Sequence, residues 1–472
     1  MERFLAGCRA ALQDHSQSGE AIHVVMGNEA CDLDSTVSTL VLAYFLAKTS
    51  PDSRAAFVPV LNIPRADFPL RTETTFLLLQ QRIPEKDLVF RDEIDLAGLH
   101  KAGLLTLTLV DHHVLPSKDS ALEAAVVEVV DHRPLEWERR PPCKVTVELV
   151  GSCTTLVTER LLQARVPTLD SQIAALLYGT ILLDCVNMAV EAGKATPRDA
   201  CCISRLESMF SELQPRNRVF DALQRAKFDV SGLTTEQMLR KDLKSLVSKT
   251  ATVAISAVYM SLQDFLHRPG LEQDLATFCH QKGFGLLIAM AISFGDHKKP
   301  FRQLAVYSPQ AAFQEAVCQA LEGSTNPSLG LSRLETPCPA VRAYQQGNIG
   351  ASRKKLLPIV REFLHQWGRS TQTTGPGMQP EISSCVPPAR MDPQGAGRRD
   401  PSGAKDAPKA PRLSEEAAEE DTLMPPTPMN SLVDECPLHQ GLPGVSPEAI
   451  FERVNRIATD RLLDGRSPEK KK

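Results

Sequence analysis

Five short apolar runs rich in β-branched residues punctuate the first part of the chain: IHVVM (22–26), AAFVPVLNI (55–63), LLTLTLV (104–110), AVVEVV (125–130) and KVTVELV (144–150). Their length and residue types predict strands. Between them, STVSTLVLAYFLAKT, TTFLLLQQRI and TTLVTERLLQA carry helical spacing. Such alternation predicts a mostly parallel sheet with helices on both faces. A further helical stretch, SQIAALLYGTILLDCVN, places Asp184 in the middle of an apolar helix. Residues 191–235 are polar and irregular, and read as a connector.

A second, smaller α/β unit is expected over 236–368. Its strand candidates are TVAISAVYMSL (252–262), GLLIAMAISF (285–294) and RQLAVYS (302–308). LEQDLATFCHQ, QAAFQEAVCQALEG and LLPIVREFLHQW supply its helices. Beyond 369 the text turns rich in proline, glycine and serine, and too polar to offset the entropy of ordering it. This tail is expected to be mostly disordered, with one amphipathic helix at 446–463.

At 472 residues the chain is long enough for two or three cores. Hydrophobic residues make up 42% and charged residues 23%, the balance of a soluble globular protein. A net charge of -4 argues against nucleic acid or an anionic membrane as the main partner, and no nucleic-acid-binding motif is present. No apolar stretch is long enough for a membrane span, and the N-terminus lacks the apolar core of a signal peptide. The 12 cysteines form no CxxC pair, so they read as reduced thiols of a cytoplasmic protein, also nuclear.

The polar tips of the strands carry the chemistry. GNEACDLDST (27–36) sets Asp32 and Asp34 two residues apart between a strand and a helix. One reading makes Asp34 or Ser35 the helix cap, with Asp32 near the positive helix end; the other makes both aspartates hard oxygen ligands. Two neighbouring strands then end in Asp-His: Asp111, His112 and His113 in the first case, Asp131, His132 and Arg133 in the second. In a parallel sheet ligands gather beyond the carboxyl ends of the strands, where all three tips fall. Converging carboxylates without a basic partner repel one another, and divalent cations relieve that repulsion. Oxygen-rich ligands with one or two imidazoles favour Mn²⁺ or Mg²⁺ over zinc. Two ions held ~4 Å apart would clamp a phosphate and supply a hydroxide nucleophile.

These motifs resemble the DHH phosphoesterase superfamily, and the second unit resembles its DHHA2 domain. Asp-x-Asp after the first strand, Asp-His-His, a further Asp-His tip and an isolated helical aspartate carry the likeness, which spans about residues 20–368. Within the superfamily, the prune-type exopolyphosphatases match most closely, through NEACDLDST, LVDHH, DHRP and PPTPMNSLVDECPL. The resemblance implies a DHH domain over 1–190, a DHHA2 domain over 236–368 and an active site in the cleft between them. It implies metal ligation by Asp32, Asp34, Asp111, His132 and Asp184, with Asp111, His132, His112 and Arg133 as the catalytic set. In SRKKLLP, Arg353 and Lys354 resemble the segment that grips substrate phosphates; Lys244 in LRKDLK resembles a second such segment. Asn28, His113, Asp131 and Lys227 are weaker candidates, His113 as a residue that orients a neighbour. GSCTT (151–155) would offer backbone N–H groups to phosphate.

Two positions depart from the family pattern. Asn28 stands where relatives carry histidine, and an amide oxygen is the weaker ligand. Arg133 stands where relatives carry a second histidine; a guanidinium still binds phosphate oxygens but donates no proton in a general-acid step. A hydrolase slower than its pyrophosphatase relatives is therefore expected, with short-chain polyphosphate as first-ranked substrate and cyclic nucleotides as the alternative. A competing class is an interaction protein. Thr427-Pro428, Ser446-Pro447 and Ser467-Pro468 are proline-directed phosphorylation candidates. For this branch the resemblance implies nucleoside diphosphate kinase as a partner and an influence on cell migration.

Overall fold

The computed structural model describes residues 1–50, 56–135, 143–166, 168–294 and 300–373. The expected tail helix at 446–463 and the three Ser/Thr-Pro sites lie outside them.

The first unit is a six-stranded sheet in which every neighbouring pair is parallel. Its strands are β1 (Ile22–Met26), β2 (Ala56–Leu61), β3 (Val89–Phe90), β4 (Leu105–Val110), β5 (Val126–Asp131) and β6 (Lys144–Val147), in the spatial order β3-β2-β1-β4-β5-β6. The five expected strands are all present, and β3 is a two-residue addition too short to leave a periodic signal. Because β2 and β3 lie on one side of β1 and β4 to β6 on the other, the chain reverses its winding direction between β1 and β4. That reversal opens a crevice above the carboxyl ends of the two central strands.

Helices α1 (Glu2–Ser18), α2 (Leu33–Thr49), α3 (Thr72–Gln80), α4 (Leu96–Lys101), α5 (Cys153–Gln163) and α6 (Ser171–Asp184) cover the two faces. Asp32 caps α2, its carboxylate accepting the Ser35 N–H. Helix α6 is apolar all round and packs among α2, α3 and α5. A helix of that composition needs cover on every side. The cover comes from α7 (Pro197–Met209) and α8 (Arg216–Phe228), which pack against α6. The stretch expected to be an irregular connector is thus mostly two helices. Their polar outer faces hid this, because Cys202, Ile203 and Leu206 on α7 and Phe220 and Leu223 on α8 are the apolar residues they bury.

Asp184 is the last residue of α6 rather than a mid-helix residue. The chain then turns through Val186, Asn187 and Met188, all at positive φ. Helical spacing runs on into these residues in the sequence; their left-handed backbone is what ends the helix.

The second unit is a mixed sheet of β7 (Leu243–Val247), β8 (Thr252–Val258), β9 (Leu286–Phe294), β10 (Pro300–Tyr307), β11 (Leu331–Leu334) and β12 (Val341–Gln346), ordered β11-β12-β10-β9-β8-β7. Only β8 and β9 pair in parallel; the other neighbours are antiparallel. One face packs against α9 (Thr235–Lys241), α10 (Leu262–Leu266) and α11 (Leu271–Lys282), the other against α12 (Ala311–Glu322) and α13 (Arg353–Thr373). Since α13 runs to Thr373, the first residues assigned to the tail belong to the folded unit. None of the ten cysteines among the described residues is joined in a disulfide.

The two units meet at one seam. Arg240 pairs with Asp67, and the Lys241 ammonium donates to Leu70 O at 2.7 Å and to Thr72 Oγ1 at 2.9 Å.

A candidate metal centre above the sheet reversal

Asp34 comes from the first turn of α2, and Asp111 and His132 from the chain just past β4 and β5; each offers a ligand atom within 4.8 Å of the others. Asp111 is 1% exposed and holds a left-handed backbone, φ 62°. Its Oδ1 is buried without a hydrogen-bond donor. His132 turns Nε2 toward that oxygen at 3.3 Å and toward Asp34 Oδ2 at 3.7 Å, while Nδ1 lies 2.9 Å from Val150 O. The carbonyl accepts the Nδ1 proton, so the neutral ring carries its lone pair on Nε2, facing the carboxylates. A lone pair and carboxylate oxygens converging on one point need a positive charge between them. Burial lowers the His132 pKa, but the Asp111 and Asp34 carboxylates outweigh it and raise it to about 10. A divalent cation meets the same demand, and the two-oxygen, one-nitrogen donor set fits Mn²⁺ or Mg²⁺.

Asp32 and Asp184 lie beside this set rather than in it. Burial pushes the Asp32 pKa up, and the charge of Asp34 adds to the effect. Burial and then the charges of Asp34 and Asp32 raise Asp184 well above the usual carboxylate range. Asp184 also sits at the negative end of α6, with one donor, Ser152 Oγ, at 2.7 Å. Asp111 is raised too, by burial and by Asp34. Among the described residues these carboxylates find few compensating donors, Asp34 excepted. It accepts from Cys153 N (2.7 Å), Thr154 N (2.8 Å) and Thr154 Oγ1 (2.6 Å) at the start of α5.

That last contact corrects one expectation. The GSCTT turn does not present its N–H groups to phosphate: Cys153 and Thr154 donate to Asp34, and Gly151 N donates to Asp199 at 2.9 Å. The turn is a socket for a carboxylate. Gly151 belongs there because a Cβ would meet Cys185 Sγ, Lys194 O and Asp199.

Asn28 also plays a part other than the one read from its type. Its Oδ1 accepts the Cys31 N–H at 3.1 Å, and its Nδ2 donates to Asp111 Oδ2 at 2.7 Å and Asp111 O at 3.1 Å. The amide oxygen is turned away from the carboxylates, so Asn28 orients Asp111 and is not a ligand in this arrangement. Asp131 is likewise engaged: Oδ1 accepts from His132 N at 2.7 Å and Oδ2 pairs with His113 Nδ1. This places His113 where an orienting residue is expected, tying the tip of β4 to the tip of β5. His112 has Nδ1 3.1 Å from Val110 O, and its Nε2 is buried without a partner. Burial lowers its pKa, and the nearby Arg133 lowers it further.

The basic candidates separate. Arg353 is corrected: it is fully buried, donating to Asp242 Oδ1 at 2.7 Å and Asp242 O at 2.8 Å. A guanidinium spent on a buried ion pair anchors α13 to the start of β7 and does not reach for phosphate. Lys354, next along α13, is exposed. Lys244 is half-buried on β7, and Lys227, near the end of α8, lowers the pKa of both Asp32 and Asp184. Arg71 was missed. It is 3% exposed and hydrogen-bonds Ala30 O at 2.6 Å, two residues before Asp32. No local pattern marks it, because it follows β2 and reaches the site only through the fold.

Comparison with known proteins fits this geometry. Residues 23–181 match the DHH family, N-terminal domain, and residues 221–363 match the DHHA2 domain. Exopolyphosphatase PRUNE1 of Mus musculus is 52% identical over 463 residues, covering 97% of each chain. A putative exopolyphosphatase of Schizosaccharomyces pombe is 29% identical, covering 74% of this chain and 92% of its own. A probable manganese-dependent inorganic pyrophosphatase of Bacillus cereus is 27% identical over 38% of this chain and 58% of its own. The chain belongs to the family of exopolyphosphatase PRUNE1, built from a DHH domain followed by a DHHA2 domain.

Proposed function

We propose that the protein is a divalent-metal-dependent phosphohydrolase that releases terminal phosphate from short-chain inorganic polyphosphate. The observation that carries this reading is the convergence of Asp34, Asp111 and His132 on a point where Asp111 Oδ1 is unpartnered. The names of the relatives, exopolyphosphatase and manganese-dependent pyrophosphatase, support the substrate class and the metal. Mn²⁺ or Mg²⁺, as two ions, is the expected cofactor, with Asp32 and Asp184 completing the ligand set. When bound, the metal supplies positive charge for phosphate oxygens and lowers the pKa of a coordinated water.

The chain's own residues then divide the remaining work. Asn28 and His113 hold Asp111 and the β5 tip in place, which keeps the ligand atoms at their spacing. Arg133 offers a fixed guanidinium to the phosphate under attack, and His112 lines the same side of the crevice. From the second unit Lys354 and Lys244 hold the rest of the polyanion. Arg133→His tests the arginine: higher turnover supports the view that this position limits the rate, and unchanged or lower turnover contradicts it.

The scaffold role, with nucleoside diphosphate kinase as partner, a cytoplasmic and nuclear location and an effect on cell migration, rests on the resemblance and on the tail beyond Thr373. Among the described residues no helix is long and apolar enough to cross a membrane. The deciding assays are phosphate release from tripolyphosphate, tetrapolyphosphate and pyrophosphate, and AMP formation from cyclic AMP, with Mn²⁺ or Mg²⁺, by wild type and Asp111→Ala. Metal-dependent release from the short polyphosphates that disappears in the mutant is the expected result. Equal rates for both proteins on all four compounds would sink the hydrolase, and preferential ring opening of cyclic AMP to AMP would replace the substrate.

A further inference from the structure

The seam between the two units gathers basic side chains that the metal centre does not use. Arg71 is buried and pinned by one bond, Nε to Ala30 O at 2.6 Å. Its two Nη groups have no protein partner among the described residues. Lys227 is half-buried, and its ammonium is unpartnered in the same sense. Lys241 is buried between Leu70 O and Thr72 Oγ1, and Thr72 Oγ1 in turn donates to Lys227 O at 3.2 Å. These bonds hold the Lys241 ammonium and the Lys227 backbone against one turn, residues 70–72, which also carries Arg71. Glu73, also buried, is the acid of that turn, and no ion pair joins it to any of the three cations. The crowding registers on Lys241: burial lowers its pKa to about 8, Glu73 opposes the fall, and Arg71 and Lys227 deepen it.

Topology says where this cluster lies relative to Arg133. Arg71 follows β2 and Arg133 follows β5, so they flank the β1–β4 crevice from opposite sides in the order β2-β1-β4-β5. The carboxylates sit between them. The charge of Lys227 acts on Asp32 and Asp184, whereas that of Arg133 acts on His112. A single phosphate at the carboxylates, with its metal, requires cationic help from one side. Cations on both sides suit a longer, linear polyanion.

We infer that Arg71 and Lys227, backed by Lys241, form a second phosphate-binding subsite at the interdomain seam, which takes the phosphate units beyond the one being hydrolysed. The subsite rests on the hydrolase reading for its place in the reaction, but its binding chemistry is independent of turnover. Arg71 is the better anchor, because its guanidinium is already held by Ala30 and offers two parallel N–H donors to a phosphate. Lys227, near the end of α8, adds a second charge. Chain-length preference would then be set at this seam rather than at the metals.

The test uses full-length protein with Mn²⁺ and non-hydrolysable analogues, the methylene-bridged forms of tripolyphosphate and pyrophosphate, titrated by calorimetry. Arg71→Gln and Lys227→Gln should each weaken the triphosphate analogue at least tenfold and the diphosphate analogue less than threefold. Affinity for Mn²⁺ alone is measured in parallel. If Arg71 only neutralises the neighbouring carboxylates, Arg71→Gln will tighten Mn²⁺ and leave the triphosphate analogue unchanged, which overturns the subsite. Lys227→Gln guards against a folding defect, since this half-buried side chain has no hydrogen bond to lose. Wild type that binds the analogue but releases no phosphate from tripolyphosphate would sink the hydrolase and leave the subsite standing. Equal binding of the triphosphate analogue by wild type and both variants would sink the subsite whatever the hydrolase does.

Discussion

The side-chain amide of Asn28 donates to Asp111 Oδ2 at 2.7 Å while its oxygen accepts the Cys31 N–H, so the loop after β1 holds the carboxylate at the tip of β4. Where relatives are expected to carry an imidazole ligand, this chain carries an orienting residue. Asn28→Ala removes the donor and leaves Asp111 free to rotate about a left-handed backbone. Outer partners of metal ligands are worth roughly 10–100-fold in metal affinity. Mn²⁺ binding by Asn28→Ala, followed by calorimetry, should weaken by that factor. An unchanged affinity would mean that the backbone alone positions Asp111.

Arg353 makes a buried ion pair with Asp242, whereas Lys354, the next residue, is exposed. Arg353→Met leaves the Asp242 carboxylate buried, with Tyr259 Oη at 2.7 Å as its remaining side-chain donor. Removing one partner of such a pair costs about 3–5 kcal/mol. Denaturant melts should show that loss for Arg353→Met. Lys354→Met, an exposed change, should stay within about 0.5 kcal/mol of wild type while raising KM for tripolyphosphate. The reverse pattern would restore Arg353 as the phosphate contact.

Lys241 makes stability depend on pH in a defined direction. Its pKa is about 8 in the fold against 10.5 as a free side chain, so the unfolded chain binds the proton more tightly. Stability from this group is complete above pH 10.5 and falls as pH drops toward 8, then levels off. At roughly 1.4 kcal/mol per pKa unit the full change is about 3 kcal/mol. Comparing wild type with Lys241→Met at pH 8 and pH 10, the difference should move in favour of wild type at the higher pH. A difference that does not move with pH would show that Lys241 is not buried as a crowded cation.

The turn after Asp184 carries local strain. Val186 sits at φ 48°, where a β-branched side chain costs about 1–2 kcal/mol. Val186→Gly should recover about 1 kcal/mol in a denaturant melt. A net loss would show that the valine packs well enough to offset its backbone.

Asp32 and Asp34 illustrate how a short motif serves two readings at once. Asp32, and not Asp34 or Ser35 as the helix-start pattern suggests, caps α2, and it also lies beside the carboxylate cluster. Strands β1, β2, β4, β5 and β6 were legible because each is a compact apolar run rich in β-branched residues. The sequence pattern missed β3, β7, β11 and β12, which are short or sit in polar text. It misread α7 and α8, whose apolar residues are few and face α6.

The sequence by itself determined which residues stand at the strand tips, since β1, β4 and β5 end where their apolar runs end. It also determined that acidic and imidazole groups dominate there, a donor set that suits a divalent cation. Only the tertiary structure decided which atom each residue spends on its neighbours. It turned the Asn28 oxygen away from the site and committed the GSCTT amides to Asp34. It also buried Arg353 against Asp242 and brought Arg71 beside the loop of Asp32. The reason is physical: residue type sets what a side chain can bond, whereas distance and burial set which of its possible partners it meets, and those depend on contacts far apart in the chain.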